Sequence, residues 1–511
     1  MEKKMFRLTT FPSFVRLDTS RSRLRAWLEQ LDWFALATFA LPLLLYWRTL
    51  APTIYNLDSA EFTTAVATNG IIRATGYPLY LVVGKLWSWL PLGGDMGYRM
   101  NLFSAFLGAL TLLQGEYILR RLQVEPWLRL GALGLLATAP YFWAMSLIAE
   151  VYTLHTALMA GVILALLRWR DQPTPFRLAL PIFLMTISLG NHMATVLLVP
   201  GAVWYVLTSQ PAQFKNWRVW AVGGTAVLLG LTIFLVLPLR YASQPLFNYA
   251  GEYDASGTFH AVNLQTFTGF WWLITGQSFA GQMFGYQMSD VWPQVAAYGM
   301  QLWAAFLGIG IGPGLLGLVI LTRRNWRLGG MLLIMFLANA IFYISYRVID
   351  KNTMFLPTYL IWAMWLGVGY QQLTHWLCSP TQSRSVAWRM NFLAVCAVGV
   401  AVILNWGLVD LSDDWSTREM AEAILQEVEP NALVLGWWDT VPAVQYLQLV
   451  EGQRPDVQTI NRFLISGEAM EQLVLSQVRT RPIYINNPSI TLLRQATAVP
   501  AGPIYKLEPV P

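Results

Sequence analysis

Recurring apolar runs of about 20 residues constrain the fold of this chain more than any other feature of its sequence. A helix of that length matches the thickness of a bilayer's hydrocarbon core. Because 55% of the 511 residues are hydrophobic and only 12% are charged, the composition excludes a soluble enzyme with a large core. We therefore predict an α-helical polytopic membrane protein with about 11 transmembrane helices. The candidate spans are Asp32–Leu50, Tyr98–Leu119, Leu128–Met145, Val151–Leu167, Leu178–Gly190, His192–Leu207, Val219–Leu239, Val291–Leu321, Leu328–Tyr346, Thr353–Thr374 and Met390–Val409.

The positions of Lys and Arg in the short loops predict the orientation, because these residues stay on the cytoplasmic side. The amino-terminal tail, residues 1–31, is basic, and the later basic clusters fall on the same side when the spans alternate. This parity holds only if Gly76–Leu92 does not cross, and we expect a re-entrant or interfacial helix there. The sequence thus predicts a cytoplasmic amino terminus, an uncleaved signal anchor and an extracytoplasmic carboxyl terminus. The net charge of +6 resides mainly in these turns, so it does not indicate nucleic-acid binding.

Three regions follow from the change in composition along the chain. The basic tail 1–31 precedes a transmembrane domain, 32–410, whose long outer loops are 51–97 and 240–290. The segment 411–511 is polar, and its pattern predicts a small extracytoplasmic α/β domain. Its expected strands and helices are Asn431–Trp438, Val441–Val450, Asp456–Asn461, Glu468–Val478 and Pro482–Asn486. Cys378 and Cys396 lie at or within spans, so no outer disulfide framework is predicted.

Polar residues worth weighing as a site gather on the predicted outer side. Asp58 and Glu61 are three positions apart and share one face of a short helix at the outer mouth of the bilayer. Either these residues converge on an active site, or short outer loops merely hold the charges that the spans exclude. The others are Arg73, Lys85, Glu150, Asn191, His192, Arg240, Arg347, Asp350 and Lys351.

The order and spacing of several short motifs carry a family resemblance over nearly the whole chain. The motifs are Leu57-Asp58-Ser59-Ala60-Glu61-Phe62, Gly76-Tyr77-Pro78-Leu79-Tyr80, Ala149-Glu150-Val151-Tyr152, Ser188-Leu189-Gly190-Asn191-His192, Tyr346-Arg347-Val348-Ile349-Asp350 and Glu451-Gly452-Gln453-Arg454-Pro455-Asp456. In this array the chain resembles bacterial GT-C glycosyltransferases related to the protein O-mannosyltransferases. The resemblance implies a GT-C fold in the bacterial plasma membrane.

The same resemblance implies a reaction: transfer of a sugar, mannose in the named relatives, from a polyprenyl-phosphate donor to a protein, glycan or lipid acceptor on the outer face. Asp58 occupies the place of the family's general base, and a fixed carboxylate within reach can accept the acceptor hydroxyl's proton. Inversion at the sugar carbon would follow. No cofactor is required; a divalent cation held by Asp58 and Glu61 is compatible with the sequence, but metal-independent transfer is the simpler interpretation.

The remaining candidates each have a functional and a structural interpretation. Glu61 either orients Asp58 or binds a sugar hydroxyl, or else it stabilises a helix amino terminus, and the same choice applies to Glu150. His192, beside Asn191, either donates to the carrier phosphate or sugar or is a structural histidine. Tyr77 either stacks on a sugar or belongs to a structural turn, and Tyr152 is expected to be an interface aromatic.

Cations near the outer side are the candidate clamps for a departing lipid phosphate. Arg240, Arg347 and Lys351 fit that role, because guanidinium and ammonium groups bind phosphate oxygens; Asp350 belongs to the same motif as Arg347. Their alternative role is that of ordinary interfacial cations. The aromatic run Phe267–Trp272 predicts an amphipathic helix that anchors the fourth outer loop in the membrane.

Two other classes of protein stay open at this point. A transporter or lipid flippase would also place charges along a membrane pathway, although it favours charges near mid-span and inverted repeats, and neither is visible here. A non-catalytic subunit of a membrane complex would use 411–511 to bind its partner.

Overall fold

The computed structural model describes residues 32–377 and 383–510, so the basic tail and Cys378 lie outside the described residues. Most of the described chain is helical. Up to the end of the membrane region the helices are Trp33–Thr49, Asp58–Thr68, Pro78–Ser88, Met96–Arg121, Pro126–Ala137, Pro140–Ala144, Val151–Asp171, Pro175–Ser188, Val199–Ser209, Trp217–Leu231, Val236–Ala242, Phe267–Ile274, Met288–Ala305, Ile311–Arg324, Trp326–Ser345, Leu356–Leu377 and Ser383–Val409. We label these α1 to α17 in that order. Short 3₁₀ segments occupy Met193–Leu198, Pro211–Lys215, Thr232–Leu235, Gln277–Gln282 and Lys351–Phe355.

Several of these helices suit a bilayer. Five described helical segments are long and apolar enough to cross one, and three shorter segments, Pro126–Ala137, Pro175–Ser188 and Met193–Ser209, are also apolar. The five are Met96–Arg121, Val151–Asp171, Trp217–Ala242, Trp326–Ser345 and Ser385–Val409. The count of about eleven crossings therefore stays a prediction.

Two predicted spans, Leu128–Met145 and Val291–Leu321, are each divided into two helices, whereas the segment 76–92 was expected not to cross. Val291–Leu321, predicted as one span, is two helices, α13 and α14, because Leu307 and Gly308 adopt positive φ angles of 54° and 65° and interrupt the helix. The segment 76–92 contains only the 11-residue helix α3, which is about 16 Å long and too short to cross a bilayer.

Beyond Val409 the described chain forms an α/β unit, which we call the outer unit because the sequence predicts that it is extracytoplasmic. Its helices, α18 to α21, are Ser416–Glu427, Val441–Leu449, Gly467–Gln477 and Ile490–Leu493. In the membrane region, Gly251–Tyr253 and Phe259–Ala261 form the hairpin β1–β2, and the strands of the outer unit, β3 to β7, are Leu433–Gly436, Gln458–Asn461, Ile483–Ile485, Ala496–Ala501 and Ile504–Pro509.

The outer unit has one five-stranded sheet in the order β4-β3-β5-β7-β6. The first three strands are parallel, with Leu433 aligned to both Gln458 and Ile483, whereas β7 pairs antiparallel with β5 and β6. Strand β3 is buried throughout, which explains its unbroken apolar sequence. The three strands and two helices predicted from the sequence are confirmed here. The β6–β7 hairpin and α18 were not predicted.

The outer unit packs on the helix that carries Asp58 and Glu61. Ile54 and Ala60, from the predicted first outer loop (51–97), belong to the same apolar cluster as Ala443 and Val444 of α19. The hydroxyl of Tyr249 donates a 2.5 Å hydrogen bond to Gln445 Oε1. Burial of these side chains fixes the outer unit directly above the first outer loop.

Candidate functional site

The centre of the site is a pair of carboxylates joined by one arginine. Asp58 and Glu61 lie in the first turn of α2, so both face Arg73 after the chain has turned back. Arg73 Nη2 donates to Asp58 Oδ2, Nη1 donates to Glu61 Oε2 at 2.5 Å, and the Arg73 backbone N–H donates to Glu61 Oε1 at 3.1 Å. One guanidinium thus holds two carboxylates, which fixes their relative positions.

Glu61 is the hidden member of this group. It is 0% exposed, whereas the Asp58 side chain is 16% exposed. Burial raises the pKa of the Glu61 carboxyl to about 7, with the nearby Asp58 adding to the rise and Arg73 opposing it. Glu61 therefore holds Arg73 from the buried side, whereas Asp58 stays accessible to solvent.

The outer unit contributes directly to this centre through Trp438. The Arg73 guanidinium lies over the Trp438 ring, 4.2 Å from its centroid. Trp438 also makes edge-to-face contacts with Tyr249 and Phe463, at centroid distances of 5.4 Å and 5.2 Å. A cation on an aromatic face is attracted by the ring quadrupole, so Trp438 orients the same arginine that holds the carboxylates.

Two cavities meet at Asp58. The inner cavity has a volume of about 240 Å³ and is lined mainly by apolar and aromatic side chains, among them Val196, Leu197, Phe342 and Tyr343. The outer cavity, of about 680 Å³, reaches Trp438 and Phe463 of the outer unit. The residues that line both are Asp58, Arg73, Tyr152, Phe279, Val348 and Asp350.

Tyr77 and His192 face the inner cavity from neighbouring turns. Tyr77 precedes α3 and adopts a left-handed backbone conformation, φ 42°, which is uncommon for a residue other than glycine and occurs mainly in tight turns. Its ring packs on Phe62. The rings of Tyr77 and His192 lie 6.2 Å apart. Since His192 Nδ1 accepts from the Ala194 backbone N–H at 3.2 Å, the neutral ring carries its proton on Nε2. His192 is then a hydrogen-bond donor in its neutral form.

Three other predicted residues face the outer cavity: Glu150, Arg347 and Asp350. Glu150 is 7% exposed, and burial, together with the charges of Asp58 and Asp350, raises the pKa of its carboxyl well above the usual range. Burial and the charge of Asp58 also raise the pKa of Asp350. The outer cavity therefore favours the protonated, neutral form of these two carboxyl groups.

The remaining candidates lie outside both cavity walls. Asn191 is buried, and its Nδ2 donates to the Val151 carbonyl at 3.2 Å. Arg240 Nη1 donates to the Gly70 carbonyl at 2.7 Å, and Lys351 Nζ donates to Gln294 Oε1 at 2.7 Å and to the Tyr286 hydroxyl at 3.1 Å. In this geometry Arg240 and Lys351 bind protein groups.

The sequence analysis counted Arg73 among the polar residues of the predicted outer side without giving it a role, and it selected neither Tyr152 nor Trp438 as a site residue. Tyr152, predicted to be an interface aromatic, is only 6% exposed and lines both cavities. Arg73 is the only arginine of the first outer loop near two carboxylates, and that was the available signal. Nothing in the sequence indicates that Trp438, in the outer unit, contacts Arg73.

Among residues 32–377 and 383–510, no group of three His, Cys, Asp or Glu is arranged to hold a metal ion.

Comparison with known sequences gives a family match and two relatives. A family model described as the protein O-mannosyl-transferase TMEM260 N-terminal domain matches residues 58–215. The protein O-mannosyl-transferases TMEM260 of Dictyostelium discoideum and Mus musculus are 22% and 23% identical to the chain, over 83% and 85% of its length. The chain spans only 56% and 63% of the length of these relatives.

Solved structures show the same fold. Crystal structures of ArnT from Cupriavidus metallidurans, one bound to undecaprenyl phosphate and one in the apo state, superpose with TM-scores of 0.55 and 0.56 at 13% and 12% identity. The matches cover 92% and 95% of this chain and 97% and 98% of the ArnT chains. Together with the apolar helices and the family match, this likeness identifies the chain as a polytopic membrane protein of the GT-C fold, similar to the protein O-mannosyltransferases.

Proposed function

We propose that the protein is a glycosyltransferase that moves a sugar, mannose by analogy with the relatives' names, from a polyprenyl-phosphate donor to a hydroxyl of a protein on the outer face of the membrane. The observation that carries the proposal is the position of Asp58, a partly exposed carboxylate at the junction of two unlike cavities. Group transfer between two bound molecules requires such a junction, because both reactants must meet at one basic group.

The inner cavity suits the donor. Its walls combine apolar side chains such as Leu197 and Phe342, which match a polyprenyl tail, with the rings of Tyr77 and His192. Neutral His192 donates through Nε2 to a sugar or phosphate oxygen without adding a charge. The name of the ArnT structure bound to undecaprenyl phosphate supports a lipid-phosphate donor by analogy.

The chemical step then needs only this chain's residues. The acceptor oxygen attacks the anomeric carbon from the outer cavity, and Asp58 takes the hydroxyl proton. The bond between the anomeric carbon and the phosphate oxygen breaks, the phosphate leaves with the electron pair, and the configuration of the sugar carbon inverts. Arg73 contacts Asp58 and lines both cavities, so its guanidinium stabilises the negative charge that develops there.

The test is sugar transfer by the purified full chain, using a panel of radiolabelled polyprenyl-phosphate monosaccharides and serine- or threonine-containing peptides. Asp58→Asn should lower kcat by about 10² to 10⁴-fold, because the general base is lost. Asp290→Asn is the matched control, since Asp290 is an exposed carboxylate in the first turn of α13 that lines neither cavity. Full activity of Asp58→Asn would overturn the assignment of the base, and a wild type that consumes no donor would favour a transporter or a non-catalytic subunit.

A further inference from the structure

We propose that a third cavity, at the far end of the membrane region from Asp58, binds the phosphate headgroup of an anionic phospholipid whose acyl chains lie along α8. The cavity has a volume of about 480 Å³ and lies where α4 and α7 end and α8 begins. We call it the basic cavity, and its charged lining residues are Arg121, Arg168, Asp171 and Arg177. The loop charges predict that it faces the cytoplasm. The inference does not depend on the proposed function.

The length of α7 separates the basic cavity from the site at Asp58. Glu150, which lines the outer cavity, immediately precedes α7, whereas Arg168 and Asp171 lie in the last turn of this helix. A helix of 21 residues is about 30 Å long, which equals the thickness of a bilayer's hydrocarbon core. The basic cavity therefore lies at the level of the headgroups in the leaflet opposite to the candidate active site.

The basic cavity has an excess of positive charge. Its lining contains three guanidinium groups, of Arg121, Arg168 and Arg177, and one carboxylate, of Asp171, so two positive charges are not compensated. Arg121 Nη1 pairs with Asp171 Oδ2 at 2.5 Å, whereas Arg168 and Arg177 form no ion pair or side-chain hydrogen bond among the described residues. A guanidinium group stays protonated in proteins and matches phosphate oxygens with two parallel N–H donors. The excess therefore persists at any physiological pH and favours a phosphate ligand.

Neighbouring arginines add to this excess. Arg170 and Arg327 interact electrostatically with the same buried Tyr205 as Arg121 and Asp171 do, so they lie close to the basic cavity. The Nε–H of Arg327 is buried and has no acceptor among the described residues. Basic pockets of this kind between membrane helices on the cytoplasmic side bind the headgroups of anionic lipids.

The buried floor of the basic cavity holds a further unpaired donor. Trp169 lines the cavity and is only 1% exposed, and its Nε1–H has no acceptor among the described residues. A buried N–H without a partner is rare in folded proteins and costs free energy until an acceptor is present. A phosphate oxygen, or a water molecule that the phosphate orders in the cavity, supplies this acceptor.

An exposed apolar face of α8 continues the wall of the basic cavity. Phe176 and Leu180 both line the cavity, lie four positions apart on one face of the helix, and are 79% and 50% exposed. Large exposed apolar side chains next to a membrane helix end are typical of contact with lipid. Arginines followed along the helix by apolar side chains suit one molecule that carries both a phosphate and acyl chains. A free phosphate would use only the arginines.

Interfacial tryptophans confirm the level of the headgroups. Gln213 Nε2 donates to the Pro173 carbonyl at 2.8 Å, which joins the segment before α10 to the turn before α8. Trp217 and Trp220, in the first turn of α10, are 71% and 62% exposed. Tryptophans gather where the hydrocarbon core meets the headgroups. The starts of α8 and α10, and hence the basic cavity, therefore lie at that boundary.

The experiment measures thermal unfolding of the purified full chain in an uncharged detergent while phosphatidylglycerol or phosphatidylcholine is added. We expect phosphatidylglycerol to raise the unfolding midpoint by about 3 °C or more, because a ligand that binds only the folded chain stabilises it. Phosphatidylcholine, which has no net charge, should have little effect. The shift with phosphatidylglycerol should shrink as salt rises from about 0.05 to 0.5 M.

Two double variants, each without two positive charges, form a matched pair. Arg168→Gln with Arg177→Gln should weaken the apparent affinity for phosphatidylglycerol about 25-fold, since each basic group near an anionic headgroup contributes roughly fivefold. Lys215→Gln with Arg218→Gln removes two exposed cations from the same predicted side but outside the basic cavity, so it should change the affinity little.

A variant of the opposite sign provides an independent test. Asp171→Asn removes the carboxylate from the lining and releases Arg121, so it should raise the affinity for phosphatidylglycerol several-fold. This prediction can be tested even if the double variant of Arg168 and Arg177 does not fold. An unchanged or weaker affinity of Asp171→Asn would contradict the inference.

Three further outcomes would overturn the inference. The first is equal stabilisation by phosphatidylcholine, which would show that charge is not recognised. The second is an equal loss of affinity, or no loss, in the two double variants, which would show that the lipid binds elsewhere, such as in the cavities at Asp58. The third is equal stabilisation by inorganic phosphate or glycerol 3-phosphate at the same concentration, which would identify a soluble phosphate as the ligand.

Discussion

The two cavities at Asp58 differ in how the chain builds them. The inner cavity takes all its walls from the membrane region, and its polar groups outside the shared residues, such as Tyr77 and His192, are neutral. The outer cavity is closed by Trp438 and Phe463, more than 370 positions away in sequence from Asp58, and it concentrates carboxylates. One cavity therefore belongs to the membrane region alone, whereas the other exists only because the outer unit packs on α2.

Arg73 belongs to both cavities, so its loss should have the largest effect. Arg73→Met leaves Glu61 buried without its cation and frees Asp58 from its position. We expect a loss of about 1–3 kcal/mol in unfolding free energy, because the buried Glu61 takes up a proton and loses its hydrogen-bond donor, together with loss of transfer. Thermal unfolding in detergent and the transfer assay measure the two effects. Arg48→Met, which removes an exposed arginine, should change neither, and a stable Arg73→Met protein would show that the clamp is dispensable.

The pH dependence of stability tests the role of the buried Glu61, which holds Arg73 in place. Burial raises the pKa of Glu61 from 4.5 to about 7, so the folded protein holds this proton more tightly than the unfolded chain. Stability from this group is therefore full below about pH 4.5 and is lost as pH rises through 7, by up to about 3 kcal/mol. Glu61→Gln, which resembles the protonated form, should flatten this part of the curve. An unchanged slope in thermal unfolding from pH 5 to 8 would contradict the assignment.

His192 tests the inner cavity by itself. His192→Phe keeps a ring of similar shape but removes the Nε2–H donor. The KM for the lipid donor should rise about tenfold, which corresponds to the loss of one hydrogen bond to a charged or polar group. The KM for the peptide acceptor should stay constant, since His192 does not line the outer cavity. His260→Phe serves as the control, because His260 lies on the exposed hairpin. A rise in the peptide KM instead would break the division between the two cavities.

Arg240 should have the smallest effect. Its guanidinium binds the Gly70 carbonyl and lines neither cavity. Arg240→Gln should cost about 1 kcal/mol of stability or less, with the donor KM unchanged. A large rise in the donor KM would restore the hypothesis that Arg240 clamps the donor phosphate and would extend the inner cavity beyond its present walls.

Much of the architecture follows from local sequence patterns. Apolar runs indicated a polytopic helical protein, and the alternation of apolar strands and helices after Val409 placed β3, α19, β4, α20 and β5. These features depend on residues within a few turns of one another, so periodicity reports them directly. The β6–β7 hairpin was not predicted because apolar and polar residues do not alternate regularly along β6. Only its two end residues, Ala496 and Ala501, are buried.

The candidate site likewise contains residues that local motifs predicted and residues whose contacts depend on the tertiary structure. Six residues that were selected from motifs line one or both cavities: Asp58, Tyr77, Glu150, His192, Arg347 and Asp350. Arg240 and Lys351 were equally plausible as cations, but their charges are directed to protein carbonyl, amide and hydroxyl groups. Sequence spacing cannot distinguish these cases, because the partner of a long flexible side chain depends on which distant backbone lies within reach.

Hydropathy and short motifs are local properties of the chain, so they were enough to predict a membrane protein of the GT-C fold with Asp58 as its candidate base. The contacts of Arg73 with Asp58 and Glu61, the Trp438 ring over this arginine and the two unlike cavities became visible only in the folded chain. The physical reason is that ion pairs and ring contacts act over a few ångströms, whereas the residues that make them are separated by up to hundreds of positions. Packing of the outer unit on α2 brings them within that range.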